Sequence, residues 1–287
     1  MRKVLVPTDF SACANNAVAF AVQSAKAIPL EITLLHSFEL MGSVYTDYMG
    51  INKEFNQMQL DEISKRLYDQ GAAIEKELGQ PVKIKVITEA LGKAILQATE
   101  ENKFDLIIMG TVGAGESRNR FWSTKTGAEI GKAETPILVI PQEYQWQKPA
   151  NILFATNHFE HDEAILDPIF ELAGIFGAKV QVAIFTDEDD DSPYTFLDHA
   201  HTTPNYEKAL KKLHPESSVS TVQLFGLEFS ETLQRYIDEN RIDLLVMVNY
   251  HKTLWDRFFH PSMTRQMSYH TKIPLLALPS QQEEWRQ

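Results

Sequence analysis

Two short stretches hold residue types from which a phosphate-type ligand site can be built. One is Pro7-Thr8-Asp9. The other is Gly110-x2-Gly113, followed nine residues later by Ser123-Thr124-Lys125-Thr126. Glycines let a backbone come close to an anion and accept positive φ. A helix opening near Ser123-Thr124 would aim unpaired N–H groups and partial positive charge at that anion. Thr124 and Thr126 add hydroxyl donors. Asp9 can accept from a ribose hydroxyl or a base amino group. Each feature also has a plain reading. The glycines serve a tight strand-to-helix turn without a ligand, and Asp9 serves a turn or a cap.

The elements that would position these residues follow an alternating programme. Val4-Leu5-Val6 is a short apolar run closed by turn residues, as buried parallel strands are. Ser11 can cap a helix in which Ala14, Ala17, Val18, Ala21, Val22 and Ala25 recur at helical spacing. Ile32–His36 reads as the second strand, Met58–Leu78 as a helix, Val82–Val86 as a strand and Gly92–Glu101 as a short helix. Phe38–Asn56 shows no period and reads mostly as loop. Phe104–Met109 leads into Gly110, and Pro136–Pro141 closes the set. This order predicts a doubly wound α/β domain with a parallel sheet and helices on both faces. Ligands of such sheets sit beyond the strands' carboxyl ends at the switch point, which is where both stretches fall.

The programme then restarts. Gln142–Pro149 is polar and reads as a linker. Asn151–Asn157 repeats Lys3–Asp9. Asp243–Met247 repeats Asp105–Met109, and Pro274–Pro279 repeats Pro136–Pro141, both 138 positions on (105 to 243, 136 to 274). Two anchors at one spacing indicate a tandem pair of whole domains, 1–142 and 150–287. The second copy reads as a helix over Asp162–Phe176, a strand over Val180–Phe185, an acidic loop at Asp187–Asp191, a helix over Tyr206–Leu213, a strand over Val219–Leu224 and a helix over Leu227–Asn240. It has lost the candidate chemistry: Asn157 replaces Asp9, Val248 and His251 replace Gly110 and Gly113, and Pro261-Ser262 replace Ser123-Thr124.

Composition narrows the partners. The 287-residue chain is 44% hydrophobic and 23% charged, with a net charge of −12. That acidity disfavours non-specific nucleic-acid binding. Cys13 is the single cysteine, so no intrachain disulfide forms and a reducing compartment is expected. The first residues start a strand rather than a signal peptide, and no apolar run nears the ~20 residues that span a bilayer. The expectation is a soluble cytoplasmic protein without nucleic-acid or membrane partners.

Pro7-Thr8-Asp9-Phe10-Ser11, Leu34-Leu35-His36, Asp105–Gly113 and Ser123–Thr126 together resemble the universal stress protein (UspA-like) family. Its nucleotide-binding members carry Gly-x2-Gly-x9-Gly-(Ser/Thr); here Ser123 stands at the third glycine. The resemblance covers nearly the whole chain as two tandem domains. It implies a five-stranded parallel sheet per domain, of the adenine nucleotide alpha hydrolase-like type. It implies dimer-like packing, often through the last strand. That would make the two halves an internal pseudo-dimer, with a homodimer as the further expectation. It also implies ATP or another adenine nucleotide as ligand. Pro7, Thr8 and Asp9 would lie at the adenosine and the backbone near Ser37 at the base. Met109, Gly110, Gly113, Ser123, Thr124 and Thr126 would line the phosphates.

Other features carry less. Eight of the nine histidines lie in the second half. His158, His161 and Asp162 near a helix start, with Asp198, His199 and His201 in a loop, have the donor types of a metal site but no compact ligand spacing. His251 and His260 lie in the degenerate loop. Asp187–Asp191 reads as a solvated charged loop. Phe121-Trp122 and Phe258-Phe259 read as helix-entry core residues or a partner surface, and Cys13 as a buried thiol. No Gly-x-Ser-x-Gly elbow or Gly-x4-Gly-Lys-(Ser/Thr) loop is present. No catalytic residue or metal ligand is assigned, and any ATP hydrolysis would be slow for want of a general base. Two further readings stay open: a ligand-free interaction scaffold in which both sites have decayed, and a metal- or small-molecule-binding protein using the histidine-rich second half.

Overall fold

The computed structural model describes residues 1–39, 51–111, 134–187, 193–249 and 272–279. Within these the chain divides into two compact units, Met1–Trp146 and Gln147–Gln287. The first contains β1 (Arg2–Pro7), α1 (Ala12–Ala27), β2 (Leu30–Ser37), α2 (Ile51–Leu78), β3 (Lys83–Ile87), α3 (Leu91–Glu101), β4 (Leu106–Thr111) and β5 (Ile137–Pro141). Its strands lie in the order β3-β2-β1-β4-β5, all parallel. The second contains β6 (Asn151–Thr156), α4 (Glu163–Phe176), β7 (Lys179–Asp187), α5 (Pro193–Leu213), β8 (Val219–Gly226), α6 (Phe229–Asn240), β9 (Leu244–Asn249) and β10 (Leu275–Pro279). Its parallel order is β8-β7-β6-β9-β10, the same arrangement strand for strand.

The central strands are apolar without alternation because helices cover both faces. Val4, Leu5, Val6, Ile107, Ile108 and Met109 are buried in the first unit, and Ile152, Leu153, Phe154 and Leu245 in the second. Burying such side chains contributes about 1.5–3 kcal/mol each relative to exposure. The repeated aspartates tie the sheet's amino-terminal edge together. The Lys3 amide donates to Asp105 Oδ2 at 2.6 Å, and the Asp105 amide donates back to Lys3 O. Asp243 accepts from the amides of Ala150 and Asn151, at 2.8 and 2.9 Å, and its own amide donates to Asn151 O.

Two expectations are corrected. α2 begins at Ile51, so Ile51–Asn56 is helix rather than loop. That stretch shows no apolar period, and its large side chain Phe55 faces solvent. Asp198, His199 and His201 lie on α5, not in a loop. Its buried stripe is His199, Thr203, Tyr206 and Leu210, largely polar residues at helical spacing, with Pro204 inside the helix. Both facts hide it from an apolar-period reading. The boundary between the two units, Trp146/Gln147, falls inside the expected linker Gln142–Pro149, and the linker residues hydrogen-bond to their own units. Asn16 Nδ2 donates to the carbonyls of Pro141 and Tyr144, Trp146 Nε1 donates to Ser24 Oγ at 2.9 Å, and Gln147 Nε2 donates to Asp243 Oδ1.

Candidate functional site

In the first unit the chain runs β1, β2, β3 toward one edge, then returns to lay β4 on the other side of β1. The carboxyl ends of β1 and β4 therefore form the switch point. The β1–α1 loop, Thr8–Ser11, lies there and is fully specified by its own side chains. Thr8 is buried, its amide donates to Leu35 O, and its hydroxyl accepts the Phe10 amide at 3.1 Å. Asp9 is exposed, and its Oδ1 accepts the Ser11 amide at 2.9 Å, an Asx turn. Ser11 caps α1 by accepting the Ala14 amide.

The predicted site residues fall into three groups. Asp9 presents an exposed side chain and Ser37 a half-exposed one at the end of β2. Pro7, Thr8 and Met109 have buried side chains, so a ligand at the strand ends would meet their backbone. Gly113, Ser123, Thr124 and Thr126 lie outside the described residues, as do Phe121, Trp122, Phe258, Phe259, His251 and His260.

Gly110 has a structural reason to be glycine. A Cβ there would stand 2.2 Å from Cys13 O and 2.5 Å from Cys13 C. The first turn of α1 is pressed against β4 at this point. The second unit shows the alternative: Val248, at the matching position, is buried in β9. There the helix starts later. The cap Ser11 comes two residues after Asp9, but the cap Asp162 comes five after Asn157.

Sequence reasoning missed the ring stack beside Asp9. Phe10 has φ +64° and stacks on His36, with centroids 4.9 Å apart and planes at 20°. The Arg66 guanidinium of α2 lies over Phe10, its carbon 4.2 Å from the ring centroid. His36 is buried and its Nδ1 has no hydrogen-bond partner. Burial holds its imidazole below the ordinary histidine range, opposed by a hydrogen bond with the Thr8 backbone and by the Asp9 carboxylate. The signal was available in part: an aromatic residue directly after the strand-end aspartate has few places to go but onto the neighbouring strand's last side chains.

The second unit fills the corresponding region from within. The Thr156 hydroxyl accepts the His158 amide, as Thr8 does for Phe10. Glu160 is buried; its Oε1 accepts the amides of His161 and Asp162, and its Oε2 lies 3.3 Å from His158 Nε2. Tyr206 of α5 donates its hydroxyl to Glu160 O at 2.6 Å, and burial pushes that phenol well above the usual range. His199 Nδ1 is 2.8 Å from Thr186 Oγ1. Among the described residues no group of three or more metal-ligating side chains converges. No described helix is long and apolar enough to cross a membrane.

With this geometry in view, comparison places the chain in a family. It belongs to the universal stress protein family, whose model matches twice, at residues 1–141 and 150–279. Universal stress protein MJ0531 of Methanocaldococcus jannaschii is 24% identical over 143 residues, which are 48% of this chain and 81% of that protein. A crystal structure of a universal stress protein from Archaeoglobus fulgidus superposes over 97% of this chain and 96% of its own, at 12% identity and a TM-score of 0.68. That likeness shows the two-domain fold. The universal stress protein from Archaeoglobus fulgidus solved in complex with dAMP covers 46% of this chain and 98% of its own, at 16% identity and a TM-score of 0.34.

Proposed function

We propose that this universal stress protein is a nucleotide-responsive regulatory or stress-protection protein, cytoplasmic, with an adenine-nucleotide site in the first domain only. The observation that supports it best is the Asp9 carboxylate. It is exposed at the β1/β4 switch point and fixed through one oxygen by the Ser11 amide. A ribose hydroxyl or base amino group is the natural donor to such an acceptor, and the carboxyl ends of β2 and β4 flank that of β1. The second domain has Asn157 and Val248 instead. It serves on this reading as the pseudo-symmetric partner.

Calorimetric titration with ATP and AMP tests the proposal. Binding in the wild type, lost in Asp9→Ala, is the expected result; no heat and no thermal shift at millimolar nucleotide would reject it. Ser123→Gly should tighten binding if the side chain at that position weakens the site. The ligand-free scaffold remains the second reading because one observation favours it. Gly110 is required by the packing of α1 on β4 whether or not a ligand is present.

A further inference from the structure

We propose that Arg66 of α2 is the anion-recognising side chain of the strand-end site, so that the first domain selects a phosphorylated or otherwise anionic ligand over its uncharged nucleoside. This rests on the strand-end site of the proposed function and names the chemistry by which that site would choose.

The position of Arg66 is held from several sides. Its perch, the Phe10 ring, is fixed in place. The Phe10 amide donates to Thr8 Oγ1, and the Phe10 carbonyl accepts Asn15 Nδ2 at 3.1 Å. Asn15 Oδ1 in turn accepts Gln70 Nε2, one helical turn beyond Arg66. His36 stacks on the same ring, only 8% exposed and with Nδ1 unpartnered. Elements α1, α2 and β2 thus converge to hold one ring under one guanidinium.

Among the described residues no carboxylate neutralises the charge on Arg66. The chain has 39 acidic against 27 basic side chains. Glu62 one turn before Arg66 and Asp69 three residues after it are both exposed on the same helix. Yet among the described residues Arg66 forms no ion pair, and its contact is the Phe10 ring. An exposed guanidinium on an aromatic face is weakly held. A bidentate, charge-assisted pair with a phosphoryl group is roughly twice as strong as a neutral hydrogen bond and fits the planar fork. Burial disfavours the charged form of His36, and the guanidinium over Phe10 is that of Arg66. In the second domain α5 offers Tyr206 to the first-strand loop instead, with its hydroxyl committed to Glu160 O.

The test compares AMP, ATP, adenosine and inorganic pyrophosphate on the full chain, as wild type, Arg66→Gln and Arg66→Lys. Arg66 is exposed, so both variants should fold, which circular dichroism checks. Arg66→Gln should weaken AMP and ATP on the order of tenfold, the scale of one charge-assisted hydrogen bond. It should leave adenosine unchanged, with Arg66→Lys between. Equal affinity of Arg66→Gln and wild type for AMP, or an equal loss for adenosine, would overturn the proposal. If the wild type binds no nucleotide, the NMR resonance of Arg66 Nε decides. A pyrophosphate-induced shift keeps the anion site while the nucleotide reading falls. No shift rejects both.

Discussion

Single residues in this protein are chosen for reasons that the two halves separate. Thr8 and Thr156 do the same work: each is buried and each accepts the amide two residues on. Threonine at that position is therefore turn architecture. Gly110 is dictated by the Cys13 carbonyl. Gly110→Ala should cost roughly 1–3 kcal/mol, as overpacking does, and denaturant melts will show it with or without nucleotide. His36 gives a pH signature. The folded state disfavours its imidazolium, so the folded chain binds fewer protons than the unfolded one below about pH 6.5. Stability should fall as pH drops through that value and level off once His36 protonates in the fold. Denaturant midpoints at about pH 7.5 and about pH 5.5 will differ less in His36→Gln than in wild type; an unchanged slope would clear His36 of the role. From sequence, Asp9 and Gly110 stood out by type and spacing. Arg66 did not, because its partner is a ring 56 positions away (10 to 66) and nothing in a helical charge pattern reports a missing ion pair.

Elements were legible where one face is apolar and illegible where it is not. β1, β4, β6 and β9 are short buried runs and read directly. α1 and α4 announce themselves by Ser11 and Asp162, whose side chains accept the amides of Ala14 and Ala164. Residues 53–58 of α2 are mostly exposed, and α5 buries His199 and Thr203 rather than leucines, so neither shows the period that marks a helix. The polar contacts of α5 are structural all the same. Glu207 accepts the amide and hydroxyl of Thr221 on β8, at 2.8 and 3.0 Å. Its carboxyl is held below the usual range by Lys211 first and Thr221 second. The repeated aspartates are staples of the same kind. Asp243→Ala strips one carboxylate from two amides and Gln147, and should cost about 1.5–3 kcal/mol. Asp105→Ala removes one exposed bond and should cost less. Equal losses in thermal unfolding would show that these carboxylates do not act through the amides they hold.

At the scale of the whole molecule, two copies of one sheet order carry different equipment. A ligand that binds only the first domain will stabilise it by mass action, about 2.7 kcal/mol at a hundredfold excess over Kd. Amide exchange should then slow at Thr8–Ser11 and β4 and stay unchanged at Asn157–Asp162 and β9. Matching protection in both places would argue for two sites. The tandem architecture was readable because backbone requirements, the strand-start aspartates and Pro-bounded last strands, are written twice. On the proposed reading the site is only half legible in the sequence, because its choice of ligand would rest on what α2 brings over the strand ends. The later start of α4 has a consequence of another kind. Between Asn157 and its helix cap the second domain has three more residues than the first has between Asp9 and Ser11, and Val248 has a side chain where Gly110 has none. The two differences are one change, since a helix that begins later no longer crowds the strand. The second domain's divergence is therefore locked against reversal by single steps. Val248→Gly would excavate a buried side chain and loosen the strand, at about 2–4 kcal/mol, without bringing the helix in. Trimming the loop alone would drive the helix backbone into a valine. Reproducing the first domain's packing there would need both altered together.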